Sequence, residues 1–254
     1  SKRHQNTLYS AQTVFSILLK TIPTVNSAVE LGCGVGTWLN VLQNQGIEDI
    51  FGIDGDWVDE ELIEIPKCCF QKADLTDINS TNISKLSKKY DLAISLEVAE
   101  HLPPACAENF VSTLTKLSDY VLFSAAIPGQ GGANHINEQW QNYWIKLFSY
   151  FNYEVYDFIR PEIWLDSQIP VWYRQNILFF AKNNKISSNT IHFSTSNSFD
   201  SILTLNNSVH PELFQIMVKK LEGEISVKKG FKLFIKSLRN SFLRKLNKNT
   251  LDIN

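Results

Sequence analysis

Three glycines at alternate positions constrain this chain more than any other feature of its sequence. They are Gly32, Gly34 and Gly36, and Glu30 stands two places before the first of them. Glycine tolerates the positive φ of a tight turn, and its missing Cβ lets a ligand approach the backbone. An apolar stretch precedes these residues and a segment with helical character follows from Thr37, so free N–H groups would face an electron-rich ligand. The pattern predicts a strand, a tight turn and a helix built around a ligand.

The glycine spacing separates two classes of cofactor. A dinucleotide fingerprint, G-x-G-x-x-G, needs its third glycine at position 37, which Thr37 occupies, so a nicotinamide dehydrogenase is disfavoured. The run from Glu30 to Gly36 resembles motif I of the class I S-adenosylmethionine (SAM) dependent methyltransferases. Cys33 lies inside the turn, where a small residue suffices, and Trp38 stands near the start of the predicted helix.

Three later segments resemble the same family, and they follow in the family's order. Residues 49–54 read as a strand ending in Asp54, whose carboxylate can accept both ribose hydroxyls. Trp57 follows closely enough to lie on an adenine face. Residues 70–75 resemble the segment whose acid meets the adenine amine, and residues 90–102 resemble the strand that ends beside the methionine moiety. The resemblance implies that SAM is the cofactor, bound by Glu30, Gly32, Cys33, Gly34, Gly36, Trp38, Asp54, Gly55, Trp57, Asp74, Leu75 and Leu96.

Strand and helix patterns alternate from residue 28 to residue 125, which favours a parallel sheet with helices on both faces. We predict an α/β, Rossmann-like class I methyltransferase fold with a seven-stranded, mostly parallel sheet and a C-terminal helical extension. The methyltransferase domain is expected over 1–182, followed by a linker and helical extension over 183–254. The aromatic connection over 161–174 has two interpretations, a substrate lid or a packed Ω-loop.

The C-terminal segment from Lys228 to Lys248 carries eight basic residues and no acidic ones, with apolar residues at helical spacing. This pattern predicts a basic amphipathic helix. Such a helix would dock on its own domain or on the second subunit of a homodimer, or it would contact a membrane surface or another anionic surface.

Charge and cysteine content exclude several other classes. The formal net charge is −2, so there is no global basic field and nucleic acid is not expected as a partner. The four cysteines lack C-x-x-C spacing, which disfavours disulfides and a cysteine zinc site. The polar first residues and the absence of a long apolar run predict a cytoplasmic protein, peripheral to the membrane if residues 228–248 make the surface contact.

Acids and histidines follow two neighbouring predicted strands. Glu97, Glu100 and His101 form an E-x-x-E-H segment just past the fourth strand, and His135 lies in the glycine-rich loop after the fifth. These loops are expected at the same edge of the sheet, where carboxylates and imidazoles together suit a divalent ion. The segment resembles metal-dependent class I O-methyltransferases, including small-RNA 2′-O-methyltransferases and ubiquinone-pathway enzymes. That resemblance implies Mg²⁺ or Mn²⁺ held by Glu97, Glu100, His101 and His135.

A metal-free site is the other interpretation, with His135 or His101 as the general base and Glu97 beside them as a further catalytic candidate. Residues 130–144 resemble a signature of bacterial methyltransferases encoded near surface-glycan genes, with amide side chains suited to hydroxyl groups. We therefore expect O-methylation of a small polar or glycan acceptor: a sugar, a sugar nucleotide or a capsule-type surface polysaccharide. An RNA 2′-O-methyltransferase is the alternative, supported by the basic tail alone. A non-catalytic SAM-binding partner subunit is disfavoured by the intact motifs.

Overall fold

A seven-stranded sheet organises the chain. The computed structural model describes residues 2–22, 25–77, 84–186 and 207–224. The strands follow the order β3-β2-β1-β4-β5-β7-β6, and all are parallel except β7, which runs antiparallel to both β5 and β6. This confirms the predicted fold class. The strands are β1 (Ser27–Leu31), β2 (Asp49–Asp54), β3 (Phe70–Lys72), β4 (Leu92–Leu96), β5 (Tyr120–Ser124), β6 (Tyr153–Tyr156) and β7 (Leu178–Lys182).

The described helices are α1 (Lys2–Thr21), α2 (Thr37–Asn44), α3 (Ala107–Leu117), α4 (Gln141–Tyr150), α5 (Ile159–Ile163), α6 (Val171–Asn176) and α7 (Pro211–Glu224). The helix α4, which follows the glycine-rich loop, begins at Gln141. The backbone N–H of Asn137 donates to the Glu100 carbonyl (3.0 Å) and that of Gln139 to the Ala126 carbonyl (3.1 Å). Because these donors are bonded to neighbouring loops, the segment before Gln141 is not helical, and Trp140 itself is extended.

The apolar side chains of the strands form two layers, one on each face of the sheet, because successive side chains of a strand point to opposite faces. Ile94 and Leu122 face one layer, which α1, α2, α5 and α6 cover. Ala93 and Val121 face the other, which α3 and α4 cover. The stacked rings of Phe148 and Phe180, with centroids 3.9 Å apart, lie in this second layer. Both faces are buried, as expected for a mainly parallel sheet.

The aromatic connection over residues 161–174 is packed against the domain. It contains the end of α5 and the start of α6, and Ile163, Ile169 and Tyr173 are buried. Arg174 donates from Nε to the Ile169 carbonyl (2.8 Å) and from Nη1 to the Trp164 carbonyl (3.2 Å). These contacts favour the packed-loop interpretation.

The chain divides into two compact units, residues 1–210 and 211–254. The second contains α7, which lies within the helical extension predicted over 183–254. The basic amphipathic helix predicted over 228–248 lies outside the described residues. Within the described ranges, no helix combines the length and apolarity needed to cross a bilayer.

Candidate active site

The glycine turn connects β1 to α2 at the carboxyl edge of the sheet. Gly32 has φ of 83°, and a Cβ there would lie 2.2 Å from Val98 Cγ2, so the position excludes any side chain. The N–H groups of Gly32 and Cys33 both donate to the Ile53 carbonyl, at 2.7 and 3.1 Å. A Cβ at Gly34 would meet nothing within 4 Å. The turn is therefore closed towards the protein and open at Gly34.

Two carboxyl groups lie at this turn. Asp54, at the end of β2, accepts hydrogen bonds from the backbone N–H of Gly34 (2.6 Å) and of Gly55 (2.7 Å). Glu30, inside β1, is buried, and its Oε2 has no hydrogen-bond partner among the described residues. Burial, and then the nearby Asp54 charge, raise the pKa of Glu30 well above its ordinary value. Asp54 is thus fixed by the turn, with lone pairs remaining for hydroxyl donors.

The other predicted cofactor residues divide into buried and exposed ones. Trp38 is buried between Phe15 and Tyr173, with centroids 5.4 Å from each ring. Trp57 is 78% exposed, and its ring covers Gly55 so closely that a Cβ there would lie 2.2 Å away. Trp38 is thus a core residue under the turn, while Trp57 presents an open aromatic surface beside Asp54.

Asp74 lies just beyond the point where β2 and β3 pair, Asp54 opposite Lys72. Its carboxylate accepts from the Thr76 hydroxyl (2.7 Å) and N–H (2.8 Å), and these bonds lower its pKa. Leu75 and Leu96 are buried. The carboxyl ends of β1, β2, β3 and β4 therefore bring the predicted cofactor residues to one edge of the sheet.

The loops after β4 and β5 converge as predicted. The Ile136 N–H donates to the Glu100 carbonyl (2.9 Å), which joins the two loops. Glu100, His101 and His135 each offer a ligand atom, and these atoms lie within 4.8 Å of one another. The two imidazoles meet edge to face, with centroids 4.8 Å apart. One carboxylate and two imidazoles form a donor set suited to a divalent cation.

Glu100 is the most unusual member of this cluster. It is 1% exposed, and neither carboxyl oxygen has a hydrogen-bond partner in the described part of the chain. Burial, followed by repulsion from Glu97, raises its pKa to about 9. A buried polar group without a partner is costly unless a ligand or ion completes its coordination. The position therefore suits a bound cation.

Glu97 has different partners from the rest of its segment. Its φ of 56° lies in the left-handed region, which non-glycine residues rarely adopt. Its carboxylate accepts from Gln130 Nε2 (3.1 Å) and Asn176 Nδ2 (3.0 Å). Burial raises its pKa, against these amide bonds and the nearby His135. It is not a member of the Glu100–His101–His135 cluster, so its place as a metal ligand stays a prediction.

Sequence reasoning missed three residues that contact Glu97 or His135: Gln130 and Asn176 at Glu97, and Glu138 at His135. Glu138 accepts from His135 Nδ1 at 2.8 Å and from the N–H groups of Gly129 and Gly131, each at 2.7 Å. Its spacing of three residues from His135 is the one sequence signal that would have suggested the pair. Asn176 lies 79 positions from Glu97 and carries no such signal.

The amides of residues 130–144 differ in their exposure. Asn137 and Gln141 are 2% exposed and donate to the carbonyls of Ala99 and Gln175. Asn137 joins the loops after β4 and β5, and Gln141 joins α4 to α6, so the expectation that these two amides bind acceptor hydroxyls is wrong. Asn134 is exposed, as are the large apolar side chains of Ile136, Trp140 and Tyr143.

Comparisons with known proteins point to one family. Residues 3–163 match a family described as a methyltransferase domain. No match was found among curated proteins. A complex of the Haloferax volcanii Trm112 methyltransferase activator with a methyltransferase is similar at 14% identity over 71% of this chain and 90% of that chain, with a TM-score of 0.50.

Two further solved structures are similar. The methyltransferase domain of bacterial CtHen1-C shares 19% identity over 72% of this chain and 99% of that chain, with a TM-score of 0.47. Magnesium protoporphyrin IX methyltransferase from Synechocystis PCC 6803, with bound SAH, shares 17% identity over 71% of this chain and 84% of that chain, with a TM-score of 0.46. At these identities the likeness concerns the fold.

Proposed function

Because this chain belongs to the methyltransferase-domain family and is a SAM-dependent methyltransferase, we propose that it methylates a hydroxyl oxygen of a small polar or glycan acceptor. The acceptor class is a sugar, a sugar nucleotide or a capsule-type surface polysaccharide. The observation that carries this proposal is the buried, unpartnered Glu100 carboxyl beside two imidazoles at the edge of the sheet where the cofactor residues converge.

The cofactor supplies the leaving group in this reaction, so the protein has to position and deprotonate the acceptor. The open side of the turn at Gly34 supports SAM binding along β1 and β2, with Asp54 as the acceptor for the ribose hydroxyls. In this proposal the loops after β4 and β5 lie at the methionine end of SAM, near Leu96. The convergence of Glu100, His101 and His135 in these loops supports their role on the acceptor side.

A divalent cation, Mg²⁺ or Mn²⁺, fits the Glu100–His101–His135 cluster. When bound, it would lower the pKa of a coordinated acceptor hydroxyl and orient neighbouring hydroxyls. The oxygens of Glu100 support this assignment, because a buried carboxyl without a hydrogen-bond partner in the described part of the chain is compensated either by a proton or by a cation. Without a cation, His135 is the candidate base.

Exposed side chains that follow His135 in the chain support a sugar-like acceptor. Ile136 is 57% exposed, and Trp140 and Tyr143 are 38% and 37% exposed. Aromatic faces pack against the apolar C–H faces of sugar rings, while the cation or His135 holds a hydroxyl. These exposed side chains now support the sugar-like acceptor, in place of the Asn137 and Gln141 amides, which are buried.

Methyl transfer to a panel of sugars and sugar nucleotides tests the proposal. We expect an O-methyl product by NMR, loss of turnover in EDTA, and recovery with Mg²⁺ or Mn²⁺. His101→Ala should lose turnover while retaining SAM affinity, and Glu108→Gln, at an exposed position on α3, should behave as wild type. A product methylated on nitrogen or carbon would contradict O-transfer, whereas full turnover in EDTA would contradict only the metal assignment.

A further inference from the structure

We infer that Glu138 is a positioning residue that holds His135 with its proton on Nδ1, so that Nε2 presents a lone pair to the cation or to the acceptor hydroxyl. The use of Nε2 rests on the proposed function, whereas the position of the proton on Nδ1 does not depend on it. It is carried by the hydrogen bonds of the post-β5 loop, defined here as residues 129–138.

The carboxylate of Glu138 organises this loop. Oε2 accepts from the Gly129 N–H (2.7 Å), and Oε1 accepts from the Gly131 N–H (2.7 Å) and lies 2.8 Å from His135 Nδ1. Two backbone donors therefore hold the Glu138 carboxylate in place independently of its contact with the His135 imidazole. The side chains of His135 and Glu138 are only 12% and 19% exposed, so water competes little for this contact.

The chemistry of the contact assigns the proton. An ionised carboxylate has acceptors and no donor, whereas a neutral imidazole has one donor nitrogen and one acceptor nitrogen. A ring whose Nδ1 faces Glu138 therefore carries hydrogen on Nδ1 and leaves Nε2 as the acceptor. Ligating histidines in metal sites are commonly oriented by a carboxylate or carbonyl on the other ring nitrogen.

Gly132 packs closely against the His135 ring. A Cβ at this position would lie 2.1 Å from His135 Nε2. Any side chain larger than hydrogen would therefore clash with the ring at Nε2. Glycine at position 132 thus lets the loop backbone pack against His135 while Glu138 holds Nδ1.

The post-β5 loop also contacts the Nδ1 atom of His101. His101 Nδ1 lies 3.3 Å from the carbonyl oxygen of Asn134, a residue with φ of 60°. A carbonyl only accepts, so this contact also favours hydrogen on Nδ1 and a free Nε2. Both imidazoles thus have their Nδ1 atoms engaged by the post-β5 loop, which agrees with the presence of both rings in one ligand cluster.

Nitrogen NMR of the full-length, metal-free protein tests the inference directly. Histidine is labelled with ¹⁵N, the spectrum is recorded near pH ~8.5, where an ordinary imidazole is neutral, and His135→Gln identifies the resonance. We expect wild-type His135 to be protonated on Nδ1. Glu138→Gln can donate from its amide to Nδ1, so it should move the proton partly or wholly to Nε2, while Glu108→Gln should match wild type.

Two outcomes would overturn the inference: a wild-type His135 protonated on Nε2, or an unchanged tautomer in a folded Glu138→Gln protein. In the second case Glu138 serves only to cap the loop. The wild-type spectrum is decisive by itself, so the inference remains testable if the variant fails to fold.

Cation binding separates this inference from the proposed function. Mn²⁺ titration of Glu138→Gln should show about 10- to 100-fold weaker binding than wild type, the usual effect of losing such an outer partner. If the wild-type protein binds no cation and methylates no hydroxyl, the proposed function fails although the tautomer stands. If cation binding and O-methylation hold but the tautomer does not, only the role of Glu138 fails.

Discussion

Buried carboxyl groups at the carboxyl edge of the sheet differ in their hydrogen-bond partners, and the roles proposed for them rest on this difference. Asp54 accepts from two backbone N–H groups, whereas Glu100 has no hydrogen-bond partner within the described ranges. A carboxylate held by fixed donors is ready to receive further hydroxyl donors. A carboxyl without donors needs either a proton or a cation. The first arrangement suits ribose recognition and the second suits metal binding.

Replacing Asp54 tests the ribose assignment. Asp54→Ala should weaken SAM binding by about 1–3 kcal/mol, the scale of hydrogen bonds to a charged group. Calorimetric titration with SAM measures the loss. Asp56→Ala, two residues away and exposed, is the matched control and should bind as wild type. Unchanged affinity in Asp54→Ala would show that another group holds the ribose.

Replacing Glu100 tests its protonation and its role as a ligand. Its pKa is raised from 4.5 to about 9, so the folded protein holds a proton that the unfolded chain releases above pH 4.5. Stability should therefore fall as the pH rises through this window, by at most about 1.4 kcal/mol per pH unit. Glu100→Gln should lack this decline, because a neutral amide replaces a neutral acid.

Urea unfolding in EDTA at pH 6 and pH ~9 measures this difference, and Mn²⁺ titration measures the ligand role. We expect Glu100→Gln to lose most cation affinity while remaining folded, since cation binding requires the deprotonated carboxylate. Parallel pH profiles for wild type and variant would contradict the protonation assignment. Unaltered Mn²⁺ affinity would contradict the ligand assignment.

At the scale of elements, the antiparallel strand β7 lies between β5 and β6. Its carboxyl end lies at the edge of the sheet where the parallel strands begin, opposite the candidate active site, and brings distant segments together there. Asp119, just before β5, pairs with Lys185 (2.8 Å), beyond β7, and with Lys89 (2.9 Å), before β4. The Lys182 N–H also donates to the Asp119 carbonyl (2.8 Å). One residue therefore ties the amino ends of two parallel strands to the carboxyl end of β7.

Removing the Asp119 charge should loosen this junction. Burial alone would raise the Asp119 pKa, but hydrogen bonds and charges from Lys185 and Lys89 outweigh it and hold the pKa below 3.8. The stabilisation is present above that pH and is lost as the pH falls through the lower, folded-state pKa. Asp119→Asn should cost roughly 0.5–1 kcal/mol at pH 7.

Thermal unfolding at pH 7 and at pH ~3 measures the effect, since the carboxyl is increasingly protonated at the lower pH. The difference in unfolding temperature between Asp119→Asn and wild type should shrink as the pH falls. The control Asp56→Asn should have the same unfolding temperature as wild type at both pH values. A constant difference at both pH values would assign the effect to packing instead of charge.

At the scale of the whole molecule, residues before α7 complete the buried polar network of the first unit. The His210 N–H donates to Gln175 Oε1 (2.5 Å), and Gln175 Nε2 donates to the Ser208 carbonyl (2.9 Å). The His210 ring also contacts Arg174 Nη1 (3.1 Å) and the Trp164 carbonyl (2.8 Å). Gln175 and Arg174 are buried, so without these partners they would leave unsatisfied polar groups.

Two shortened chains test the predicted domain boundary at residue 182. A chain ending at Lys182 should unfold at least about 2 kcal/mol more easily than one ending at His210, because buried donors and acceptors without partners cost about 1–3 kcal/mol each. Urea denaturation compares the two, with a chain ending at Glu224 as the control for removing the rest of the tail. Equal stabilities would place the whole folded domain within 1–182.

The sequence by itself determined the glycine turn, the alternating strands and helices, and the acids and histidines at strand ends. These depend on backbone sterics and on periodicity over a few residues, and parallel strands necessarily bring their carboxyl ends to one edge. Only the tertiary structure decided that Glu97 meets Asn176, that Glu138 holds His135, and that the Asn137 and Gln141 amides are buried. Such partners depend on which side chains are excluded from water once all elements pack, and this is not encoded in local spacing.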